Sequence, residues 1–134
     1  MYILFDIGAT KTRIAYSETG ENFEDPKVYE TPKNYDEGLK LFTETANQLA
    51  NGRGIKKIAG GMSRNIAGWT YEKLKTDLEK KFGVGAIVEN DSAIVGLGEA
   101  VFGAGRGFEI TAYITVSTGV GGAKIVNGKI DEHA

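Results

Sequence analysis

The sequence predicts an α/β fold in which helices cover a mixed β-sheet. Short apolar runs indicate strands, and longer segments whose apolar residues recur every three or four positions indicate helices. The predicted elements follow the order β-β-β-α-β-α-β-α-β-β. An opening meander followed by alternating strands and helices is typical of a mixed sheet with helices packed on it.

The chain opens with a predicted antiparallel hairpin. Residues 2–7 are mostly apolar and predict a buried strand, and residues 12–17 predict the next one. Only residues 8–11 separate them, which is short enough for a hairpin loop. A weaker third strand over residues 27–31 ends at Pro32.

The first predicted helix covers residues 35–49. Its apolar face has the 4-3-4-3 spacing of Tyr35, Leu39, Phe42, Ala46 and Leu49. Asn34 with Glu37 resembles a capping box at its start, and Asn51-Gly52 ends it.

The rest of the chain continues the alternation. Strands are predicted over residues 55–59, 86–88, 110–116, 124–126 and 129–130, and helices over residues 71–82 and 93–102. Gly83 ends the second helix, and Asp91 is the predicted N-cap of the third. The dipeptide Asn127-Gly128 predicts a tight hairpin turn.

The glycine-rich residues 103–108 are interpreted as a connection between lobes, so we expect domains over residues 1–108 and 109–134. The second would hold only a strand and a hairpin, which is too little for a core of its own. We therefore expect the opening of a truncated second lobe. Its uncovered strands would favour homo-oligomers such as dimers, or strand exchange.

The composition narrows the class of protein. Of 134 residues, 41% are hydrophobic and 25% are charged, which is ordinary for a folded chain. The net charge of -2 does not fit a basic nucleic-acid-binding surface. There is no cysteine, hence no disulfide or thiolate metal site. No apolar run is long enough for a membrane span and no leader is recognisable, so we expect a cytoplasmic protein.

The first candidate site is the turn after the opening strand. Asp6 ends that strand, and Gly8, Thr10 and Lys11 follow. Backbone N–H groups and hydroxyls in such a turn can bind phosphate oxygens, and Asp6 could hold Mg²⁺ through water. A plain glycine turn beside a surface lysine fits this segment equally well. No Walker A sequence is present, which argues against a P-loop enzyme.

The second candidate is the strand–helix junction at residues 89–92. Asp91 there could accept the proton of an attacking hydroxyl, and Asn90 could orient that hydroxyl. Taken alone, a simple helix-capping role for Asp91 is favoured.

The third candidate is the turn over residues 117–122. Thr118, Gly119 and Gly121 lie in this hydroxyl- and glycine-rich segment, whose amides could wrap phosphates. The alternative is a flexible hairpin turn, for which six residues is long.

In this order, the three segments resemble the motifs of a known superfamily. The run Asp6-Ile7-Gly8-Ala9-Thr10-Lys11-Thr12 resembles the first phosphate motif of actin-like ATPases and sugar kinases. Residues 89–93 with Gly98-Glu99 resemble the Asn-Asp segment of the ROK family, and residues 117–122 resemble its second phosphate motif. The hairpin at residues 127–130 also matches, so the resemblance covers nearly the whole chain.

The resemblance implies a ribonuclease H-like lobe with a mixed five-stranded sheet. It also implies a kinase that transfers the γ-phosphoryl group of ATP to a hexose or amino-sugar hydroxyl with Mg²⁺. Asp91 would be the general base and Asn90 a sugar contact, while Asp6 would act near Mg²⁺. The phosphates would be bound by Gly8, Thr10, Lys11, Thr118, Gly119 and Gly121.

Several departures from the family pattern matter. Ala9 and Ala123 replace glycines, and residues 60–65 lack the Pro-Gly pair of the sugar-side loop. The family's zinc segment, distal sugar ligands and adenosine motif would lie beyond residue 134. We therefore expect an N-terminal part that is inactive alone, with zinc only if a C-terminal part supplies its motif.

Two alternatives stay open at this point. A non-catalytic sugar- or nucleotide-binding sensor or regulator would have the same fold, although a repressor would carry a DNA-binding domain before the first motif. A different actin-like enzyme, such as a glucosamine-type kinase, an activator ATPase or a carboxylate kinase, would fit the altered loop at residues 62–69.

Overall fold

The computed structural model describes residues 1–117 and 119–132, which form two compact units. The N-terminal unit is Met1–Glu89, and the C-terminal unit begins at Asn90. The described strands are β1 (Tyr2–Ile7), β2 (Lys11–Ser17), β3 (Lys27–Glu30), β4 (Lys57–Met62), β5 (Gly85–Asn90), β6 (Ile110–Val116), β7 (Val120–Val126) and β8 (Lys129–Ile130). The described helices are α1 (Tyr35–Ala50), α2 (Tyr71–Phe82) and α3 (Asp91–Val101).

The N-terminal unit is built on the predicted mixed sheet. Its described strands follow the order β3-β2-β1-β4-β5. Strand β1 runs antiparallel to β2 and parallel to β4, so that Ile7 lies opposite both Thr12 and Met62. The prediction of a five-stranded mixed sheet with flanking helices is therefore confirmed in the described residues.

The core of this unit lies on one face of the sheet. Alternate residues of β1, namely Ile3, Phe5 and Ile7, are buried, as the two-residue period of a strand requires. Phe42 of α1 packs edge-on against Phe5, with ring centroids 5.4 Å apart. Burying an aromatic side chain of this size stabilises the fold by about 1.5–3 kcal/mol.

The helix ends follow local rules. The Asn34 side chain accepts a hydrogen bond from the N–H of Glu37, and Asn51 adopts the left-handed conformation that ends α1. Gly83 ends α2 with a φ of 67°. These predictions are confirmed. The N-cap of α2, Thr70, was not predicted.

The C-terminal unit is a small antiparallel sheet with one helix on it. Strand β7 pairs with β6 on one side and with β8 on the other. Helix α3 approaches closely at Gly96, where an added Cβ would lie 2.9 Å from both Ile125 Cδ1 and Tyr113 Cβ. The other face of β6 and β7 is open, and Ile114 and Val116 are 70% and 77% exposed.

The compact units divide between Glu89 and Asn90, earlier than the predicted lobe boundary at 108/109. Helix α3 falls in the C-terminal unit because it packs on β6 and β7. The glycine-rich residues after α3 are hydrogen-bonded to that helix. The N–H groups of Gly103 and Gly105 both donate to the carbonyl of Glu99. The lobe boundary at 108/109 stays a prediction.

Several element bounds differ from the prediction. Strand β4 occupies Lys57–Met62 rather than residues 55–59. Strand β7 begins at Val120, because Gly121 and Gly122 pair with Thr115 and Ile114 of β6. The connection between β6 and β7 is therefore residues 117–119, not the predicted six-residue turn.

In the part of the chain that the structure describes, no helix has the length and apolar character needed to cross a membrane.

Candidate functional site

The turn between β1 and β2 is tight. The N–H of Gly8 donates to the carbonyl of Lys11 at 2.9 Å. An added Cβ at Gly8 would lie 3.1 Å from that same carbonyl oxygen. Glycine at this position therefore has a steric reason that is independent of any ligand.

The buried hydroxyls of Thr12 and Thr31 form hydrogen bonds beside this turn. Thr31 Oγ1 donates to the carbonyl of Gly8 at 2.7 Å and lies 2.8 Å from Thr12 Oγ1. The N–H of Thr31 donates to the carbonyl of Thr10 at 2.9 Å. Burial raises the pKa of Tyr29 above its usual range, and a hydrogen bond with Thr12 only partly opposes this shift. The phenol therefore stays protonated. Hydrogen bonds from Thr31 therefore tie the turn to the residues that follow β3.

The outer side of the turn keeps free donors. Ala9 and Thr10 are exposed, and their N–H groups donate to none of the described residues. The Lys11 side chain is also exposed and forms no ion pair with a described residue. Amide and ammonium donors at one turn suit an anionic ligand such as a phosphate group.

The carboxylate of Asp6 is partly engaged. Its Oδ2 accepts a hydrogen bond from Arg13 Nη1 at 2.9 Å, and both side chains are 48% exposed. Its Oδ1 accepts no hydrogen bond from another described residue. One available carboxylate oxygen fits Mg²⁺, which uses one or two carboxylates and takes its other ligands from water and phosphates. No three His, Cys, Asp or Glu side chains converge on a metal-sized site among the described residues.

Arg13 was missed by the sequence reasoning. A signal existed, because a short hairpin loop places Asp6 directly opposite Arg13 in the pairing of β1 with β2. Cross-strand neighbours on one face have Cβ atoms about 4.5–5.5 Å apart.

The junction between β5 and α3 corrects one prediction. The N-cap of α3 is Asn90, whose Oδ1 accepts the N–H of Ala93 at 3.3 Å, and not Asp91. Strand β5 extends to Asn90, so the helix starts earlier than predicted and Asp91 falls in its first turn. The capping alternative for Asp91 is therefore wrong.

Only one of the two oxygens of the Asp91 carboxylate accepts hydrogen bonds from the described residues. Its Oδ1 accepts hydrogen bonds from the N–H of Ser92 at 2.8 Å and from Asn90 Nδ2 at 3.1 Å. Its Oδ2 accepts none from the described residues. This arrangement leaves one oriented oxygen that can accept a proton.

The two glycines of the third segment differ. A Cβ at Gly121 would lie 2.8 Å from Ser92 Oγ and 3.2 Å from Thr115 Cγ2, so glycine gives room where α3 packs on β7. Gly119 is exposed, and no described atom lies within 4 Å of an added Cβ. The described residues thus supply no steric reason for glycine at position 119. The predicted contact Thr118 lies outside the described residues.

The predicted site residues form two clusters, one in each unit. Asp6, Gly8, Thr10 and Lys11 belong to the hairpin of the N-terminal unit. Asn90 and Asp91 lie next to Ser92, which contacts the Gly121 strand within the C-terminal unit.

The sheet order and helix placement define an actin-like ATPase fold. The sequence model of the ROK family matches residues 2–132, and the chain belongs to this family.

Similar proteins include sugar kinases and a regulator. A glucokinase of Halalkalibacterium halodurans is 31% identical over 96% of this chain and 45% of its own length. A crystal structure of a ROK family glucokinase from Streptomyces griseus, in complex with glucose and AMPPNP, matches with a TM-score of 0.82 and 25% identity. That match covers 97% of this chain and 46% of the glucokinase. The xylose repressor of Bacillus subtilis is 32% identical over 46% of this chain and 16% of its own length.

The chain thus spans less than half the length of these relatives. The similar kinases support sugar phosphorylation at the level of the family.

Proposed function

We propose that this chain is the N-terminal part of an ATP-dependent kinase that phosphorylates a hydroxyl of a hexose or an amino sugar. The observation that carries the proposal is the Asp91 carboxylate, which has one oxygen held by Asn90 and Ser92 and the other without a described partner. Phosphoryl transfer requires positioning and charge stabilisation more than covalent chemistry by the protein.

In this mechanism Asp91 Oδ2 accepts the proton of the attacking sugar hydroxyl. The hydroxyl oxygen then forms a bond to the γ-phosphorus, and the bond from that phosphorus to the ADP oxygen breaks. The hydrogen bonds to Oδ1 fix the direction in which the carboxylate faces. A positioned base of this kind contributes about 10²- to 10⁴-fold to the rate.

In the N-terminal unit, the exposed amides of Ala9 and Thr10 and the side chain of Lys11 bind phosphate oxygens of ATP. In the C-terminal unit, the chain at Gly119 is a separate candidate phosphate contact. Support comes from the donors that are left free at the first turn and from the open surroundings of Gly119. Asp6 would hold Mg²⁺, which neutralises charge on the phosphates when it is bound. Zinc is not part of the proposal for these residues.

A regulator that binds sugar without phosphorylating it is the second candidate. It is favoured by the similarity to the xylose repressor of Bacillus subtilis. A repressor needs no proton acceptor at position 91, so the arrangement of Asp91 favours the kinase.

The test is the substitution Asp91→Asn in the full-length gene product. We expect kcat for the best sugar of a hexose and amino-sugar panel to fall by about 10²-fold or more, since the amide cannot accept the proton. Asp25→Asn is the matched control, because Asp25 is exposed and hydrogen-bonds to none of the described residues. Unchanged turnover in Asp91→Asn would remove Asp91 from the mechanism. Sugar binding by calorimetry without turnover in the wild type would favour the regulator.

A further inference from the structure

The ion pair between Asp6 and Arg13 lies at the candidate phosphate turn. Arg13 Nη1 donates to Asp6 Oδ2 at 2.9 Å, and the two residues are directly paired across β1 and β2. They lie on the sheet face opposite the buried side chains of Ile7 and Thr12. The hydrogen-bonded ladder of the hairpin therefore fixes the two Cα atoms relative to each other.

This ion pair contributes little to folding. Both side chains are 48% exposed, and ion pairs at such positions add little stability because water screens the charges and side-chain entropy is lost. The single hydrogen bond is also monodentate, whereas a guanidinium can bind a carboxylate through two parallel bonds. The stability of the fold does not account for an arginine at this position.

We propose that Arg13 is a positioning residue for Asp6, an inference that rests on the proposed kinase function. The guanidinium holds Oδ2, so that Oδ1 faces the magnesium-bound nucleotide in a fixed direction. Arginine suits this role because its charge does not change with pH and its planar group restricts the geometry of the hydrogen bond.

A direct contact between Arg13 and a phosphate group is the competing explanation. The two explanations differ in how Arg13 depends on Asp6 and on the metal. A positioning residue has no effect once Asp6 is replaced, whereas a phosphate contact acts without Asp6. Likewise, the affinity for metal-free nucleotide would depend on Arg13 only if Arg13 contacts a phosphate group directly.

The experiment is a double-mutant cycle with Asp6→Asn and Arg13→Gln in the full-length gene product. Binding of AMPPNP is measured by calorimetry with and without Mg²⁺. We expect each single variant to weaken binding of Mg-AMPPNP about tenfold, and the double variant to bind no more weakly than the weaker single variant. Binding of metal-free AMPPNP should be the same in Arg13→Gln and in the wild type.

Two further variants complete the design. Arg13→Lys keeps the charge and should restore part of the lost affinity. Lys40→Gln is the matched control, because it removes the exposed ion pair with Glu44 on α1, far along the chain from the turn. The urea midpoint should be unchanged in Arg13→Gln and in Lys40→Gln.

The outcomes separate this inference from the proposed function. Additive losses, weaker metal-free binding, or tighter Mg-AMPPNP binding in Arg13→Gln would overturn the positioning role while leaving the kinase proposal in place. A wild-type protein that binds no AMPPNP with Mg²⁺ would overturn both.

Discussion

The two units of this chain bury their sheets differently. In the N-terminal unit, the inward residues of β1 lie under Phe42 and the other core side chains, and Ile3 and Ile7 are fully buried. In the C-terminal unit, helix α3 covers one face of β6 and β7, while Ile114 and Val116 on the other face are mostly exposed. A sheet that normally faces water on one side carries polar residues there. The apolar residues on the open face therefore indicate a surface suited to contact with more protein.

The two units also hold their candidate site residues in different ways. The first turn is braced by buried threonines inside a unit with a closed core. Asp91 is fixed by its own helix turn, and the packing of that helix depends on Gly96 and Gly121 against β6 and β7. We therefore expect damage to the C-terminal unit to affect Asp91 before it affects the first turn.

The largest expected difference concerns matched truncations in the two units. Phe42→Ala should lower the free energy of unfolding of the N-terminal unit by about 3–5 kcal/mol, because it leaves a cavity beside Phe5. Ile114→Ala should change stability by no more than about 0.5 kcal/mol, since that side chain is mostly exposed. Urea unfolding combined with hydrogen exchange of each unit would measure both effects. Equal losses would mean that the open face of β6 is covered in solution.

The closed unit was the easier one to predict. The apolar spacing of its helices, the N-cap at Asn34 and the C-cap at Gly83 depend only on residues close in sequence. The sequence pattern was therefore enough to predict these helices and their ends. The pairing of Asp6 with Arg13 depends on strand register, which periodicity does not report. The burial of Trp69 has no local signal either. A Cβ added at Gly38 would lie 2.6 Å from Trp69 Cη2, so a glycine in α1 makes room for a side chain from a distant loop.

The candidate site was predicted as a set of residues but not as a geometry. The motif order pointed to Asp91, yet Asn and Asp have similar N-cap preferences, and only the end of β5 decides that Asn90 is the cap. For Gly121, the sequence suggested a phosphate contact, whereas the structure gives a packing reason. The phosphate role of Gly121 stays a prediction.

A second, smaller effect tests how tightly α3 is packed in the C-terminal unit. Gly96→Ala should destabilise this unit by about 1–3 kcal/mol, since the new methyl group would displace Tyr113 and Ile125. Gly98→Ala on the same helix should stabilise it by up to about 1 kcal/mol, because alanine favours helix and no described atom lies within 4 Å. Hydrogen exchange of the α3 amides would compare the two. A stabilising Gly96→Ala would show that α3 sits less closely on the sheet.

Substitutions on the open face of β6 and β7 should have the smallest effect on stability. They also test most directly whether the two units differ in how their sheets are covered. We expect the 134-residue chain to self-associate at high concentration, because Ile114, Val116 and Val120 form an exposed apolar surface. Ile114→Lys should reduce that association, which light scattering would measure, while its free energy of unfolding in urea stays within about 0.5 kcal/mol of the wild type. Phe23→Lys is the matched control, because Phe23 is 64% exposed but belongs to the N-terminal unit. If both lysine variants reduce association equally, the open face has no special role. If the wild type is a monomer, exposed apolar residues on β6 and β7 are not sufficient to bring copies of the chain together.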